Sequence, residues 1–349
     1  MADTRIIVLN GYANGTAIEE SHFGIKTKPL RALADGEILL QTLELSPDPY
    51  MRGRMTGVDT FYLPQLPVGE VILGFGVARV VESRHSNYPV GQVVYGMIEW
   101  ADLSIWNGGD DSDLSTVVGG GGGGLTPIHP DATPYARALD VIGITGLTSY
   151  FCITEFAKPL PHETVLISSA AGSVGSISGQ LAKLRGSRVI GLAGSEEKCR
   201  VLTERLGFDA ALNYKSPTLE ADLRELMPSG PDLYLDHVGG SLSQMIMFQM
   251  RWPARVVEIG QISTYDDVGG GWTLDVRPIH NNCLQFTGYQ PLFFVDQFPG
   301  ALAQLGYWLK SGKIVALDTV FNGLENAPKA FTGLFRGDNV GKMVVHLAD

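Results

Sequence analysis

A strand, a turn of small residues and a helix follow one another between residues 164 and 184, and no other feature constrains the fold as strongly. Thr164-Val165-Leu166-Ile167-Ser168 is a β-branched apolar run, Ala170-Ala171-Gly172-Ser173-Val174-Gly175 is the turn, and Ser173 to Leu184 reads as the helix. Ser187 to Leu192 then reads as a second strand and Glu196 to Leu206 as a second helix. Further strands fit Ala211–Tyr214, Asp232–Asp236 and Ala254–Ile259, so the stretch from Val165 to Gly288 predicts a parallel sheet with crossover helices. Five strands suffice for a nucleotide-binding sheet.

The turn matches the dinucleotide fingerprint except at its first glycine, where Ala170 stands. In this context a pyrophosphate can sit on the helix N-terminus, facing the free N–H groups of Ser173 and Val174. Gly172 lets the backbone approach the phosphate, and Gly175 lets helix and strand pack closely. The fingerprint alone leaves open a nucleotide of another kind, such as a methyl donor. The second strand narrows the choice, because it ends in Gly194-Ser195 where an NAD site carries Asp or Glu for the ribose 2′-hydroxyl. With Lys198 one turn inward and Tyr214 at the end of the next strand, these residues form a candidate 2′-phosphate pocket, and NADPH is the expected cofactor.

Outside this stretch the pattern differs. From Arg5 to about His129, short β-branched runs such as Ile6–Leu9, Glu37–Leu40, Val77–Val81 and Val93–Tyr95 are broken by Gly and Pro, which predicts a compact β-rich domain. The tail from Ile314 holds two strand candidates, Leu317–Phe321 and Met343–His346, around a helix from Glu325 to Phe335, and it can extend either domain. Two domains also suit a chain of 349 residues. Gly119 to Gly124 is an unbroken glycine run that predicts a surface loop.

Composition excludes several classes of function. A formal charge of −11 argues against a surface for nucleic acid or anionic lipid. No apolar stretch approaches ~20 residues and no secretory leader is evident, so a cytoplasmic protein with a small-molecule partner is expected. The three cysteines, Cys152, Cys199 and Cys283, lie far apart with no Cys-x-x-Cys pair, and no metal site is expected.

Taken in order, these segments resemble the medium-chain dehydrogenase/reductase family, in its zinc-free branch of NADPH-dependent alkenal/one reductases that includes the prostaglandin and curcumin reductases. The resemblance runs through Asp48-Pro49-Tyr50-Met51-Arg52-Gly53-Arg54-Met55, Gly143 to Tyr150, the Ala170 to Gly175 turn, Ala193 to Lys198, Asn213-Tyr214-Lys215, Val238-Gly239-Gly240, Ile262-Ser263-Thr264-Tyr265, Gly323 to Pro328 and Gly337 to Lys342. It implies a GroES-like catalytic domain of residues 1–130 completed by 305–349, a Rossmann domain of residues 131–304, and a homodimer. Zinc-dependent relatives carry Cys and His ligands in the N-terminal domain, whereas the first cysteine here is Cys152 and Gly69-Glu70-Val71 stands near the place of a Gly-His-Glu segment.

The same resemblance implies reduction of an enone double bond. Tyr265 then stabilises the developing enolate, with the proton coming from it or from water, while Tyr50 and Tyr62 are candidates for the substrate pocket. Thr148, Gly260, Ile262, Ser263 and Asn339 match cofactor-lining positions. His237 replaces the family's usual Asn before Val-Gly-Gly and is a candidate cofactor contact, and Asp266 to Trp272 replaces a proline-rich stretch. A quinone reductase and a non-catalytic NADPH-binding sensor remain as alternatives. Arg52 either neutralises charge in the cleft or ties two loops together.

Overall fold

The computed structural model describes residues 3–58, 64–107, 124–129, 132–267 and 272–349. Short strands fill the N-terminal part: β1 (Asp3–Leu9), β2 (Phe23–Pro29), β3 (Ile38–Leu45), β4 (Leu73–Ser83), β5 (Val93–Glu99), β6 (Leu103–Trp106) and β7 (Thr126–Pro127). β1 and β2 pair with each other, while β3, β4, β5 and β7 run antiparallel in a larger sheet to which β6 is joined through β3.

From residue 164 the chain builds a second sheet of β8 (Thr164–Ile167), β9 (Arg188–Ala193), β10 (Ala210–Asn213), β11 (Leu233–Asp236), β12 (Ala254–Glu258) and β13 (Leu284–Gly288). Its order is β10-β9-β8-β11-β12-β13 and every pairing is parallel, which is the order of a Rossmann sheet. Covered on both faces, the central strands β8 and β11 are wholly buried at Val165, Ile167, Leu233 and Leu235, which explains their unbroken apolar sequence. The sixth strand exceeds the five read from sequence. At the sheet edge, β13 buries Leu284 but exposes Gln285 and Thr287, so it has no comparable apolar signal.

The C-terminal tail returns to the first sheet. β14 (Asp318–Asn322) lies parallel to β15 (Lys342–His346), and β15 pairs antiparallel with β3, Val345 opposite Leu45. Burial drives this return: Met343, Val344 and Val345 lie inside, and the helix Ala327–Arg336 packs Phe331 edge-on against Phe23 and Trp100. One apolar cluster runs from Leu43, Phe75 and Val77 of the first sheet through Leu139 and Val141 to Val165 and Ile167 of the second. Among the described residues no helix is long and apolar enough to cross a membrane. The Rossmann order reverses between β8 and β11, the place where such a sheet opens a crevice at its C-terminal ends, and the turn after β8 touches the other sheet's tail through the bridge of Gly172 with Gly341.

Candidate active site

The turn after β8 is shaped by steric necessity. A Cβ on Gly175 would stand 2.5 Å from the Ser169 carbonyl oxygen and 2.9 Å from the Ala170 Cα, so only glycine lets the helix start this close to the strand. Gly172 is the N-cap of the helix Ser173–Leu184 in extended conformation. The first-turn N–H groups of Ser173, Val174 and Gly175 precede any intrahelical acceptor and point out of the helix, where an anion is favoured. Ser173 turns its hydroxyl inward to the buried carboxylate of Asp140. Burial pushes Asp140 up to about 6, with Ser173 and the Arg137 and Lys342 charges opposing the shift.

At the end of β9, Ser195 caps the next helix by accepting from the Lys198 N–H at 3.3 Å. The Tyr214 ring lies over Gly194, where a Cβ would meet the phenol oxygen at 3.2 Å, and the Lys215 ammonium stands 5.8 Å from the centre of that ring. Lys198 donates to the Gly337 carbonyl at 2.5 Å. Its pKa is lowered by burial first and by the neighbouring Lys215 second. Two cations that oppose each other's charge beside a hydroxyl and a phenol make an end of the crevice suited to a dianion.

Tyr265 follows the short turn Ile262–Thr264, past the end of β12. Its oxygen accepts a long bond of 3.4 Å from the Gln261 N–H and lies against Gly260, where a Cβ would come within 3.2 Å. Burial raises the phenol's pKa, the Gln261 N–H opposes this, and the Glu258 carboxylate adds to it, so the group is protonated at neutral pH and able to donate. Ser263 donates to Val238 and Ile262 to His237, which brings these four predicted or neighbouring positions together.

His237 has both ring nitrogens shielded from solvent and without a hydrogen-bond partner among the described residues. Burial pushes its pKa down to about 4, against the pull of Asp236. The unfolded chain therefore takes up a proton near pH 6.5 that the folded chain refuses until about pH 4, and this contribution to stability is present above the unfolded value and lost as pH falls. Between about pH 7.5 and about pH 5 the wild type should lose about 2 kcal/mol that His237→Asn does not lose. Urea unfolding at the two pH values measures the difference.

The remaining sequence candidates are placed as follows. Thr148 donates to the Ile144 carbonyl at 2.7 Å within its own helix, Ile144–Phe151. Asn339 donates to the Gly341 carbonyl at 2.8 Å, and the Gly341 N–H donates in turn to Ala171 at 2.7 Å, which ties the tail to the phosphate-type turn. Tyr50 sits in the turn Pro49–Met55, edge-on to Phe75 and 3.7 Å from the Met97 sulfur. Tyr62, residues 119–123 of the glycine run and residues 268–271 lie outside the described residues.

Comparison with known proteins gives the same architecture a family. Residues 5–114 match the family described as N-terminal domain of oxidoreductase, and residues 173–305 the family described as zinc-binding dehydrogenase. The chain is 38% identical over 337 residues to prostaglandin reductase 1 of Mus musculus, covering 93% of this chain and 94% of that protein. It is 33% identical over 351 residues to the NADPH-dependent curcumin reductase of Escherichia coli K12, covering 98% and 96%. The chain belongs to the medium-chain dehydrogenase/reductase family. Among solved structures, CurA of Vibrio vulnificus in complex with NADPH aligns at a TM-score of 0.87 and 32% identity, across 99% of both chains.

As a medium-chain dehydrogenase/reductase the protein is an oxidoreductase, with a GroES-like and a Rossmann part. Among its described residues no group of three or more His, Cys, Asp or Glu is placed to hold a metal ion. Three features of this family member escaped sequence reasoning: the Ser173–Asp140 contact, the buried pair Lys342–Asp48 and the pair Arg52–Asp266. Each joins residues distant in sequence; the available signal was charge at positions 48, 52, 140 and 342, all buried, whereas the partly exposed Asp266 gave none.

Proposed function

We propose that this enzyme uses NADPH to reduce the carbon–carbon double bond of an α,β-unsaturated ketone or aldehyde, with hydride transfer to the β-carbon. The observation that carries the reading is Tyr265, a protonated, largely shielded phenol at the C-terminal edge of the Rossmann sheet, in a chain similar to proteins named prostaglandin and curcumin reductases. Gly172, Ser173, Val174 and Gly175 hold the pyrophosphate. Ser195, Lys198 and Tyr214, beside Gly194, hold the 2′-phosphate, which relieves the repulsion between Lys198 and Lys215. Thr148, His237, Gly260, Ile262, Ser263 and Asn339 line the rest of the cofactor. Bound NADPH supplies the hydride.

Tyr265 donates a hydrogen bond to the carbonyl oxygen as negative charge grows there, and the proton for the α-carbon comes from Tyr265 or from water. Tyr50, packed on Phe75, contributes to the substrate wall. We place the enzyme in the cytoplasm and divide it into a catalytic domain of residues 1–130 with 305–349 and a cofactor domain of residues 131–304. A homodimer is supported by the outer edge of β13, which pairs with no strand among the described residues.

The test follows oxidation of NADPH or NADH by absorbance across a panel of enones, quinones and saturated ketones, for the wild type and Lys198→Ala. Turnover of enones with NADPH is expected, and Lys198→Ala should raise the NADPH Kd about tenfold, or about 1.4 kcal/mol, while leaving the NADH Kd unchanged. Turnover of quinones alone makes the enzyme a quinone reductase; NADPH binding with no turnover of any acceptor makes it a sensor.

A further inference from the structure

The loop that carries Tyr265 is fastened on both sides of that residue. On one side, Ser263 donates to the Val238 carbonyl through its N–H at 3.1 Å and its Oγ at 2.7 Å, which holds the turn to the end of β11. On the other side, the very next residue crosses to the first domain: Oδ1 of Asp266 accepts from Nε of Arg52 at 2.7 Å, 214 positions away in sequence. Tyr265 is thus suspended between an anchor on the cofactor side and an anchor on the catalytic-domain side.

The second anchor is stiff. Arg52 belongs to the turn Pro49–Met55, its side chain has no solvent exposure, and its Nη2 donates to the carbonyls of Ala13 and Thr16 at 2.8 Å each. These neutral acceptors fix the guanidinium but do not balance its charge. A buried cation without a counter-ion is strongly unfavourable, so the Asp266 carboxylate is held in place by what its departure would leave behind. The loop therefore cannot swing away from the first domain without exposing or stranding Arg52.

We propose that Asp266 is a positioning residue for the reduction: by pairing with Arg52 it latches the Tyr265 loop to the catalytic domain and sets the phenol where the substrate oxygen will be. This rests on the role given to Tyr265 above. It matters because an oxyanion donor is effective over tenths of an ångström, and a displacement of about 1 Å costs up to about a hundredfold in rate. The turn Pro49–Met55 carries both Tyr50 and Arg52, so the latch also fixes the distance between the two tyrosines' segments.

The test combines Asp266→Asn and Asp266→Glu with Tyr265→Phe, singly and as the double variant Asp266→Asn/Tyr265→Phe, and reads kcat, KM, NADPH Kd and hydrogen exchange of the NADPH-bound enzyme. Asp266→Asn should lower kcat about tenfold with NADPH Kd within about twofold, and Asp266→Glu should recover at least about half of the lost rate. In the Tyr265→Phe background Asp266→Asn should have no further effect, because the group it positions is gone. Amide exchange across residues 262–267 should rise about tenfold in Asp266→Asn and stay constant in the helix Ser173–Leu184.

An equal loss of kcat in both backgrounds, or unchanged exchange in the loop, overturns the proposal. If instead the wild type reduces no enone, or Tyr265→Phe keeps its full kcat, the role of Tyr265 fails and with it the catalytic half of the proposal. Exchange in the loop still decides the latch in that case, faster exchange sustaining it and unchanged exchange removing it.

Discussion

Tyr265→Phe should lower kcat for an enone about a hundredfold, or about 2.7 kcal/mol, while the NADPH Kd stays within about twofold. The magnitude is that of removing one preorganised donor from a developing oxyanion. Little else is lost with the hydroxyl, because its recorded partner is the Gln261 N–H at 3.4 Å, too long to contribute much to folding. Phenylalanine keeps the ring and removes only the oxygen that lies against Gly260. The loss should therefore appear in kcat and kcat/KM together, the signature of an interaction made in the transition state. Steady-state rates at saturating NADPH provide the measurement. An unchanged kcat would move charge stabilisation to another group and leave Tyr265 as a packing residue.

The parts of this protein that were legible in its sequence are those whose physics is local. The helix Ser173–Leu184 was read with its observed bounds because its small residues answer to direct contacts: a Cβ at Gly175 would strike Ser169, and one at Gly179 would lie 2.0 Å from the Phe208 ring. Strands β8 and β11 were legible because burial on both faces demands unbroken apolar runs. β13 was not, since an edge strand with exposed Gln285 and Thr287 has no such demand. Periodicity alone left the tail's place open, because two amphipathic strands and a helix satisfy either sheet; the family resemblance put it with the first sheet, and β15 pairs there with β3.

Within the site, the same division holds. The turn that can hold pyrophosphate, and Gly194-Ser195 in place of Asp or Glu just after β9 with Glu196 and Glu197 beyond them, are local signals. The depressed pKa of Lys198 is not, because it depends on burial and on Lys215 meeting it across the fold. Arg52 was narrowed in sequence to two roles, and the structure supports the loop-tying one, with Asp266 as the partner. Ion pairs between residues hundreds of positions apart leave no periodic trace, so their partners become visible only once the chain is folded.

The largest effect on stability is expected from Lys342→Met. Lys342 and Asp48 are an ion pair with side chains 3% and 7% exposed, and the Ser46 hydroxyl donates to the other oxygen of Asp48 at 2.5 Å. Removing the ammonium leaves a buried carboxylate without its counter-charge, at a cost of about 4 kcal/mol. Replacing both partners, as Lys342→Met with Asp48→Leu, should return most of that loss, because the desolvation of two charges disappears together with their attraction. Function should not return with it. Lys342 follows Gly341, whose N–H holds Ala171 at the head of the phosphate-type turn, and Gly341 itself has φ +69° with no room for a Cβ against the Leu317 carbonyl. Asp48 precedes the turn that presents Tyr50 and Arg52. The pair therefore joins the strand that follows Gly341 to the segment that leads into the Pro49–Met55 turn, and the stable double variant should keep a kcat/KM about tenfold below wild type because apolar packing specifies that distance less sharply than a charged bond. Urea unfolding and steady-state kinetics on the same three proteins separate the two effects: a single variant within about 1 kcal/mol of wild type would show that Asp48 finds another partner or takes up a proton, and a double variant with full kcat/KM would show that the pair serves folding alone.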